Sequence, residues 1–434
     1  MHLPQSKSIV GRPGYAVSRG HAWFALVLLF ILMLFDYIDR SIVNSMFPYI
    51  KKDWGLTDTQ LGALASIVSL MVGLLSLPVA VLVDRWSRVK SIVLMGVGWG
   101  FATVGCMFAS KYTQLLAMRA VIGVGEAGYG NAGCSLLAHH FPSRLRSTVI
   151  GLFYFAVSVG SVIGIIAGGA IAVKWGWHAA FGIVGVPGIV VALLVFAIKD
   201  YRTIPLRKLA GNSGTTMGFK EAALELFRAR TSWSTYLGSG LMLITYMAMN
   251  AWLPSYFARA YSLQGVAIGL KTAPVILAGA CGTVFWAMVA DRVAANVPRR
   301  RLLITVACGL LTVLVLFPAF TGMEPGTKQY QMILLGGFFM GAIGGIPTAV
   351  AMDVVHPGLR SSAVSMVTLA NNLIGFTMGP FVVGMLSDRI GLQSALAWVT
   401  LSCIPAVLCL YWASRNYDAD KALIDAEVVA GGFQ

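Results

Sequence analysis

Long apolar runs separated by short polar breaks organise this chain from residue 22 to residue 415. About 20 apolar residues carry an α-helix across the hydrocarbon core of a bilayer. The pattern predicts twelve such helices, over 22–48, 58–83, 90–109, 113–140, 145–173, 177–198, 231–258, 266–291, 300–321, 327–353, 358–385 and 391–415. The expected fold class is an all-α membrane protein.

The second half repeats the first. Phe47-Pro48 recurs as Leu253-Pro254 after 206 residues, and Leu56, Gly62 and Asp84-Arg85 recur as Leu263, Gly269 and Asp291-Arg292 after 207. Arg146 recurs as Arg360 after 214 residues, and Gly160 and Gly164 as Gly375 and Gly379 after 215. So slow a drift is that of a few inserted loop residues on a repeat of six spans. The expected domains are an N-terminal six-helix bundle at 1–198, a linker at 199–230 and a C-terminal six-helix bundle at 231–434. Within the linker, 219–228 sets Phe219, Leu224, Leu226 and Phe227 among basic residues. That pattern fits either a helix lying on the membrane surface or a solvated linker helix.

Composition agrees: 57% of residues are hydrophobic and 11% charged, where a soluble domain carries roughly 25% charge. The polar start with Lys7, Arg12 and Arg19 leads into an apolar run too long for a signal-peptide core, so the N-terminus is expected to stay in the cytoplasm. Assigning the loops alternately places 22 Lys and Arg on the N-terminal side and 8 on the other. By the positive-inside rule both termini are cytoplasmic, and the expected location is the plasma membrane. The net charge of +15 follows membrane side rather than one folded face, which excludes a nucleic-acid partner. The six cysteines fall inside spans without metal-ligand spacing and read as small core residues, so no metal is expected. No phosphate-cradling loop or nucleophile elbow supports an enzyme.

The candidate chemistry lies in charges where the bilayer would exclude them. A charge at the centre of a spanning helix costs about 2.5 to 3.5 kcal/mol on insertion scales and marks ion or substrate pathways. The first span carries Asp36, Asp39 and Arg40; the fourth carries Arg119 and Glu126. Asp36 and Arg40 share a helix face, whereas Arg119 and Glu126 are about 10.5 Å apart along their helix and must look to other partners. The simplest arrangement pairs Asp39 and Arg40 with Arg119 and Glu126. A desolvated carboxyl holds a proton and a nearby guanidinium loosens it, so moving the guanidinium would turn a proton donor into an acceptor. Asp36, Asp39 and Glu126 are thus the expected proton carriers and Arg40 and Arg119 their partners; a fixed structural network is the alternative. Tyr37, Tyr129, Tyr246, Asn250, Trp252, Asn371 and Asn372 are expected in the substrate cavity, charged on one wall and apolar-aromatic on the other, which suits an amphipathic ligand. Asn371 and Asn372 fit interhelical hydrogen bonding as well. His139 and His140 lie at a span end and are weaker candidates.

Six plus six spans with both termini inside is the plan of the major facilitator superfamily, whose halves rock about a central cavity. The loop Ala80-Val-Leu-Val-Asp84-Arg85-Trp-Ser-Arg88 resembles that superfamily's loop signature, with Ala80 and Ser87 where glycines are usual, and Asp291-Arg292 repeats it. Asp84, Arg85, Arg88, Asp291 and Arg292 are the expected gating charges. Gly151, Gly160, Gly164, Gly168 and Gly169 resemble its antiporter-associated fifth-helix motif, with Ile165 in place of the proline.

Asp36-Tyr-Ile-Asp39-Arg40, Arg119 through Glu126 to Tyr129, and Gly151-Leu-Phe-Tyr-Phe155-Ala resemble the spinster branch of the superfamily. The resemblance implies proton-linked transport of sphingolipid- or lysophospholipid-like molecules, with Asp39, Arg40, Arg119 and Glu126 as the coupling group. The Tyr-x-Asp-Arg of the first span is shared with transporters of organic anions such as sugar acids. The expected function is a proton-coupled secondary transporter exporting an amphipathic or lipid-like molecule in exchange for protons. A proton symporter importing an organic anion is the first alternative, and a passive lipid conduit or non-transporting sensor the second. The expected partners are that substrate and membrane lipid, with no cofactor beyond the coupling proton and a monomeric state.

Overall fold

The computed structural model describes residues 15–142, 145–200, 225–343, 345–356 and 359–430, and the described residues form helices joined by short turns. The first six spans are Arg19–Trp54, Asp58–Arg85, Arg88–Met107, a pair Tyr112–Glu126 and Tyr129–His140, then Arg146–Trp175 and Trp177–Leu194. The second six are Arg230–Ala260, Val266–Ala294, Arg300–Thr321, and three interrupted spans. The tenth joins Thr327–Met340 to Ile346–Asp353 through a 3-10 turn at Gly341–Ile343. The eleventh joins Arg360–Ala370 to Thr377–Ile390 through a π-helical stretch at Asn371–Phe376, and the twelfth comprises Leu392–Thr400 and Cys403–Ala430.

The twelfth span runs 15 residues past its expected end at 415, because no Gly or Pro interrupts 416–430. Its extension ties down the seventh span, whose Thr231 N–H donates to Asp420 at 2.7 Å. The expected surface helix over 219–228 falls outside the described residues up to 224; Leu226 is buried and Phe227 is exposed.

Among the described residues ten of the spans are long and apolar enough to cross a membrane, and the two that are not, the fourth and the seventh, have physical reasons. The fourth is broken at Ala127-Gly128 and carries Arg119 and Glu126 inside the protein. The seventh buries Thr231, Ser232, Ser234, Thr235, Ser239, Thr245 and Ser255. The outward faces are apolar: Phe101, Leu314 and Phe108 are 64%, 67% and 75% exposed while Asp39 and Arg119 are 0% and 1%. This inversion is what a lipid solvent selects. Cysteines follow it in part. Cys106, Cys308 and Cys403 are buried, but Cys281 is exposed on the eighth span and departs from the expected core role.

The sequence repeat reappears as packing. A Cβ on Gly160 or Gly164 would come within 2.7 Å of the Leu34 or Ile38 carbonyl of the first span. Their repeats do the same in the other half, Gly375 against Leu243 and Gly379 within 2.7 Å of the Ile244 carbonyl of the seventh. Most of the fifth-span glycines therefore bind helices within one bundle by backbone approach. Gly169 differs and meets Gly265 across the interface between bundles.

The two ends of the described residues, Tyr15 and Ala430, lie on one face, here the terminal face, and the bundles seal against each other at the opposite, far face. Gly62 sits on the Pro380 carbonyl and Gly384 on that of Asp58, joining the second span to the eleventh. Gly169 on Gly265 and Gly269 on Ile166 join the fifth to the eighth. The halves also share charge there: Arg259 donates twice to Asp58 at 2.7 Å, Ser387 Oγ donates to Asp58 at 2.5 Å, and Lys51 Nζ adds a contact at 2.6 Å. Asp388 in turn accepts from the Asp58 and Thr59 amides at 2.7 and 2.8 Å, so one carboxylate caps the helix that carries the other. Those contacts hold its carboxylate well solvated by donors although it is 2% exposed.

Candidate functional site

A cavity of about 300 Å3 lies between the bundles, just inside the far-face seal. Its N-terminal wall presents Tyr37, Arg40, Ser41, Asn44, Ser69, Arg119, Ser158 and Ser161; its C-terminal wall presents Leu243, Tyr246, Met247, Asn250, Ile276 and Phe376. One wall thus offers cations and hydroxyls and the other is mostly apolar.

At the cationic wall the five charges form one pair and one group of three. Arg40 Nη2 lies 2.5 Å from Glu126 Oε2 and its Nε 3.2 Å from Asp36 Oδ1, one helical turn back. Arg119 Nη1 lies 3.1 Å from Asp39 Oδ2, and its Nε donates to the Leu64 carbonyl at 3.4 Å. The pairing expected from the sequence is the one found, with Asp36 sharing Arg40. Arg40 and Arg119 are among the lining residues, Arg40 17% and Arg119 1% exposed in the side chain, whereas Asp36, Asp39 and Glu126 are not. Glu126 and Asp39 side chains are fully buried, and Glu126 Oε1 and Asp39 Oδ1 have no hydrogen-bond partner among the described residues. A buried oxygen without a donor costs free energy. The network is therefore short of protons or donors, not saturated.

Of the expected cavity residues, Tyr37, Tyr246 and Asn250 line it. The others are placed elsewhere, each held by a bond of its own. Trp252 is buried at the seal, its Nε1 donating to the Pro380 carbonyl at 2.9 Å and its ring 5.1 Å from Phe47 of the other bundle. Tyr129 donates to the Leu29 carbonyl at 2.7 Å behind the charged network. Asn371 accepts from Ser239 Oγ at 2.8 Å, and Asn372 donates to the Thr368 carbonyl at 2.9 Å. Asn371 thereby joins the eleventh span to the seventh, whereas the Asn372 bond stays within its own helix. The sequence reading missed Asn44, Ser41, Ser69, Ser158 and Ser161. Asn44 was findable, since it follows Arg40 by four residues and so continues the same helix face.

The gating charges divide. Asp84 and Arg85 side chains lie outside the described residues, and Arg88 is buried at the start of the third span. Asp291 pairs with Arg301 of its own bundle at 3.2 Å, and Arg292 is exposed. Asp353 closes that cluster by accepting from Tyr417 at 2.9 Å. His140 Nε2 contacts the Lys199 carbonyl at 3.0 Å, away from the cavity.

Two six-helix bundles around a central cavity walled by buried ion pairs define a membrane transporter of the rocking type. The chain belongs to the major facilitator superfamily, whose family model matches residues 29–380, and is a transporter rather than an enzyme. It is 26% identical over 400 residues to the probable L-galactonate transporter of Escherichia coli (strain K12), covering 88% of this chain and 86% of that one. It is equally 26% identical to protein spinster homolog 3 of Danio rerio, covering 86% and 78%. The crystal structure of a bacterial homolog of the human lysosomal transporter Spinster, inward-facing and unoccupied, superposes with a TM-score of 0.80 at 23% identity, covering 93% of this chain and 99% of that one. The spinster likeness read from the motifs is thus met in both sequence and fold.

Proposed function

We propose that the protein is a proton-coupled transporter of a small amphipathic organic anion. The observation that carries this reading is the order of residues at the site: Arg40 and Arg119 line the cavity, and the carboxylates they pair with do not. An anionic group entering the cavity meets Arg40 and Arg119 first and competes with Glu126 and Asp39 for them, as a planar guanidinium suits a carboxylate or phosphate. An acid that loses its cation in a dry site takes a proton. Anion and proton then bind together rather than in competition, which favours movement in the same direction over exchange. The apolar C-terminal wall receives the body of the ligand.

The cavity volume points the same way. At about 300 Å3 it falls at the low end of small-molecule pockets, which run from roughly 300 to 1,000 Å3. A sugar-acid-sized solute fits within it, while a lysolipid would have to leave its acyl chain outside. Support comes also from the L-galactonate relative. Export of a lipid-like molecule in exchange for protons is the second reading, favoured by the apolar wall and the spinster relatives. We place the protein in the plasma membrane with both termini in the cytoplasm, on the 22 to 8 asymmetry of basic residues, and acting as a monomer. The far-face seal then leaves the cavity on the cytoplasmic side.

The test is uptake of labelled hexonates and of lysophospholipids into proteoliposomes under an imposed pH gradient. Accumulation of an anion down an inward proton gradient, lost in Glu126→Gln, is the expected result. Uptake by Glu126→Gln equal to that of the intact protein would sink the proposal, and proton efflux coupled to lysolipid entry would favour exchange.

A further inference from the structure

The charged network holds three carboxylates and two guanidiniums. Asp39 and Arg119 form a one-to-one pair, which leaves Asp36 and Glu126 both on Arg40. They contact Nε and Nη2, two nitrogens of one guanidinium, which brings the two carboxyls close enough to act on each other. As bare carboxylates both would be acceptors only, and Glu126 Oε1 has no donor. Like charges so placed do not both stay ionised; they share a proton. Among the described residues the groups facing the pair supply no second cation: Tyr37 and Tyr129 are phenols, Asp39 is an acid, and Arg119 is engaged by Asp39 and the Leu64 carbonyl.

We propose that Asp36 and Glu126 hold one proton between them on the edge of Arg40, and that this shared proton is the one that travels. This rests on the proton-coupled reading above and assigns the proton to a carboxyl pair instead of to Glu126 alone. With Asp36 present, a proton bridges the two acids and frees the cavity edge of Arg40 for the anion. Without it, Glu126 and Arg40 become a simple ion pair that gives up its proton affinity.

The first experiment needs no substrate. Infrared spectra of the purified protein in lipid at neutral pH should show the carbonyl stretch of a protonated carboxyl, absent in Asp36→Asn and in Glu126→Gln, retained in Asp39→Asn and in Asp36→Glu. A band that survives in either of the first two variants overturns the proposal. The second compares gradient-driven uptake of the anion with exchange of labelled for unlabelled anion. In Asp36→Asn the ratio of the two should fall about tenfold at neutral pH and recover about one pH unit lower, the equivalent of one unit of proton affinity. A parallel loss of uptake and exchange would mean a structural role only and would also overturn it. If no anion is transported by the intact protein the function proposed above fails, while the infrared result still decides the fate of the shared proton.

Discussion

Among the described residues two buried carboxylate-guanidinium clusters have similar parts and opposite behaviour. At the far face, Asp58 accepts from Arg259, Lys51 and Ser387 while Asp388 accepts from the amides of its helix, and the cluster joins one bundle to the other. In the middle of the N-terminal bundle, Asp36, Asp39 and Glu126 divide Arg40 and Arg119 among them, and two of their oxygens, Asp39 Oδ1 and Glu126 Oε1, have no partner among the described residues. The difference lies in topology and satisfaction. A saturated cluster that crosses the seam must break when the halves part, so it acts on the equilibrium between conformations. An undersatisfied cluster inside one bundle can change its proton and ligand occupancy without the halves moving, so it acts on what is carried. Coupling requires both, because occupancy of the second must bias the breaking of the first.

The comparison breaks most severely at Arg119. Its side chain and that of Asp39 are 1% and 0% exposed, and removing one partner of a buried pair typically costs about 3 to 5 kcal/mol by stranding the other charge. Arg119→Ala should abolish transport and lower the unfolding midpoint in detergent markedly, and Arg119→Ala combined with Asp39→Ala should regain much of the stability but none of the transport. A double variant no more stable than the single one would show that the two residues do not act as a pair.

Asp58→Asn should act on the other cluster by moving a population rather than removing chemistry. The ion pairs to Arg259 and Lys51 are half-wet on the basic side, so a loss of about 1 to 3 kcal/mol, shifting the conformational ratio by roughly 5- to 150-fold, is expected. Spin labels at Lys111 and Glu324, exposed on the far face of the two bundles, should report a longer distance in the variant. An unchanged distance distribution would reduce Asp58 to a helix-capping role. Gly62→Ala should push the same way by a different cause, since a methyl there meets the Pro380 carbonyl; overpacking of this kind costs about 1 to 3 kcal/mol.

How much of this was legible in the sequence follows from what each feature depends on. The twelve spans and the two-bundle plan rest on solvent-scale hydrophobicity, which is a property of runs, and they were readable even for the fourth and seventh spans, whose polar interiors defeat a test of length and apolarity. The pairing of Asp39 with Arg119 and Arg40 with Glu126 was readable because charges in a bilayer have few alternatives. Trp252 and Tyr129 were misplaced for the opposite reason. An aromatic with one polar atom fits a cavity wall and a packed seam alike, and only the position of the Pro380 and Leu29 carbonyls decides between them. The far-face cluster went unread because Asp58, Arg259 and Asp388 sit at helix ends, where charge is ordinary, and their meeting depends on the packing of bundles more than 200 residues apart in sequence.

The smallest effect is expected where the loop signature is repeated. Asp291 copies Asp84 in sequence, yet it is 71% exposed and pairs with Arg301 of its own bundle. Exposed pairs contribute about 0 to 1 kcal/mol and are screened by salt. Arg301 keeps Asp353 as a second partner, so loss of Asp291 leaves no charge stranded. Asp291→Asn should therefore change gradient-driven uptake by less than about twofold and leave the distance between labels at Lys111 and Glu324 as it was. A large change in either measurement would mean that Asp291 crosses the seam when the terminal face closes, and the terminal face would then hold a latch of its own to set against Asp58.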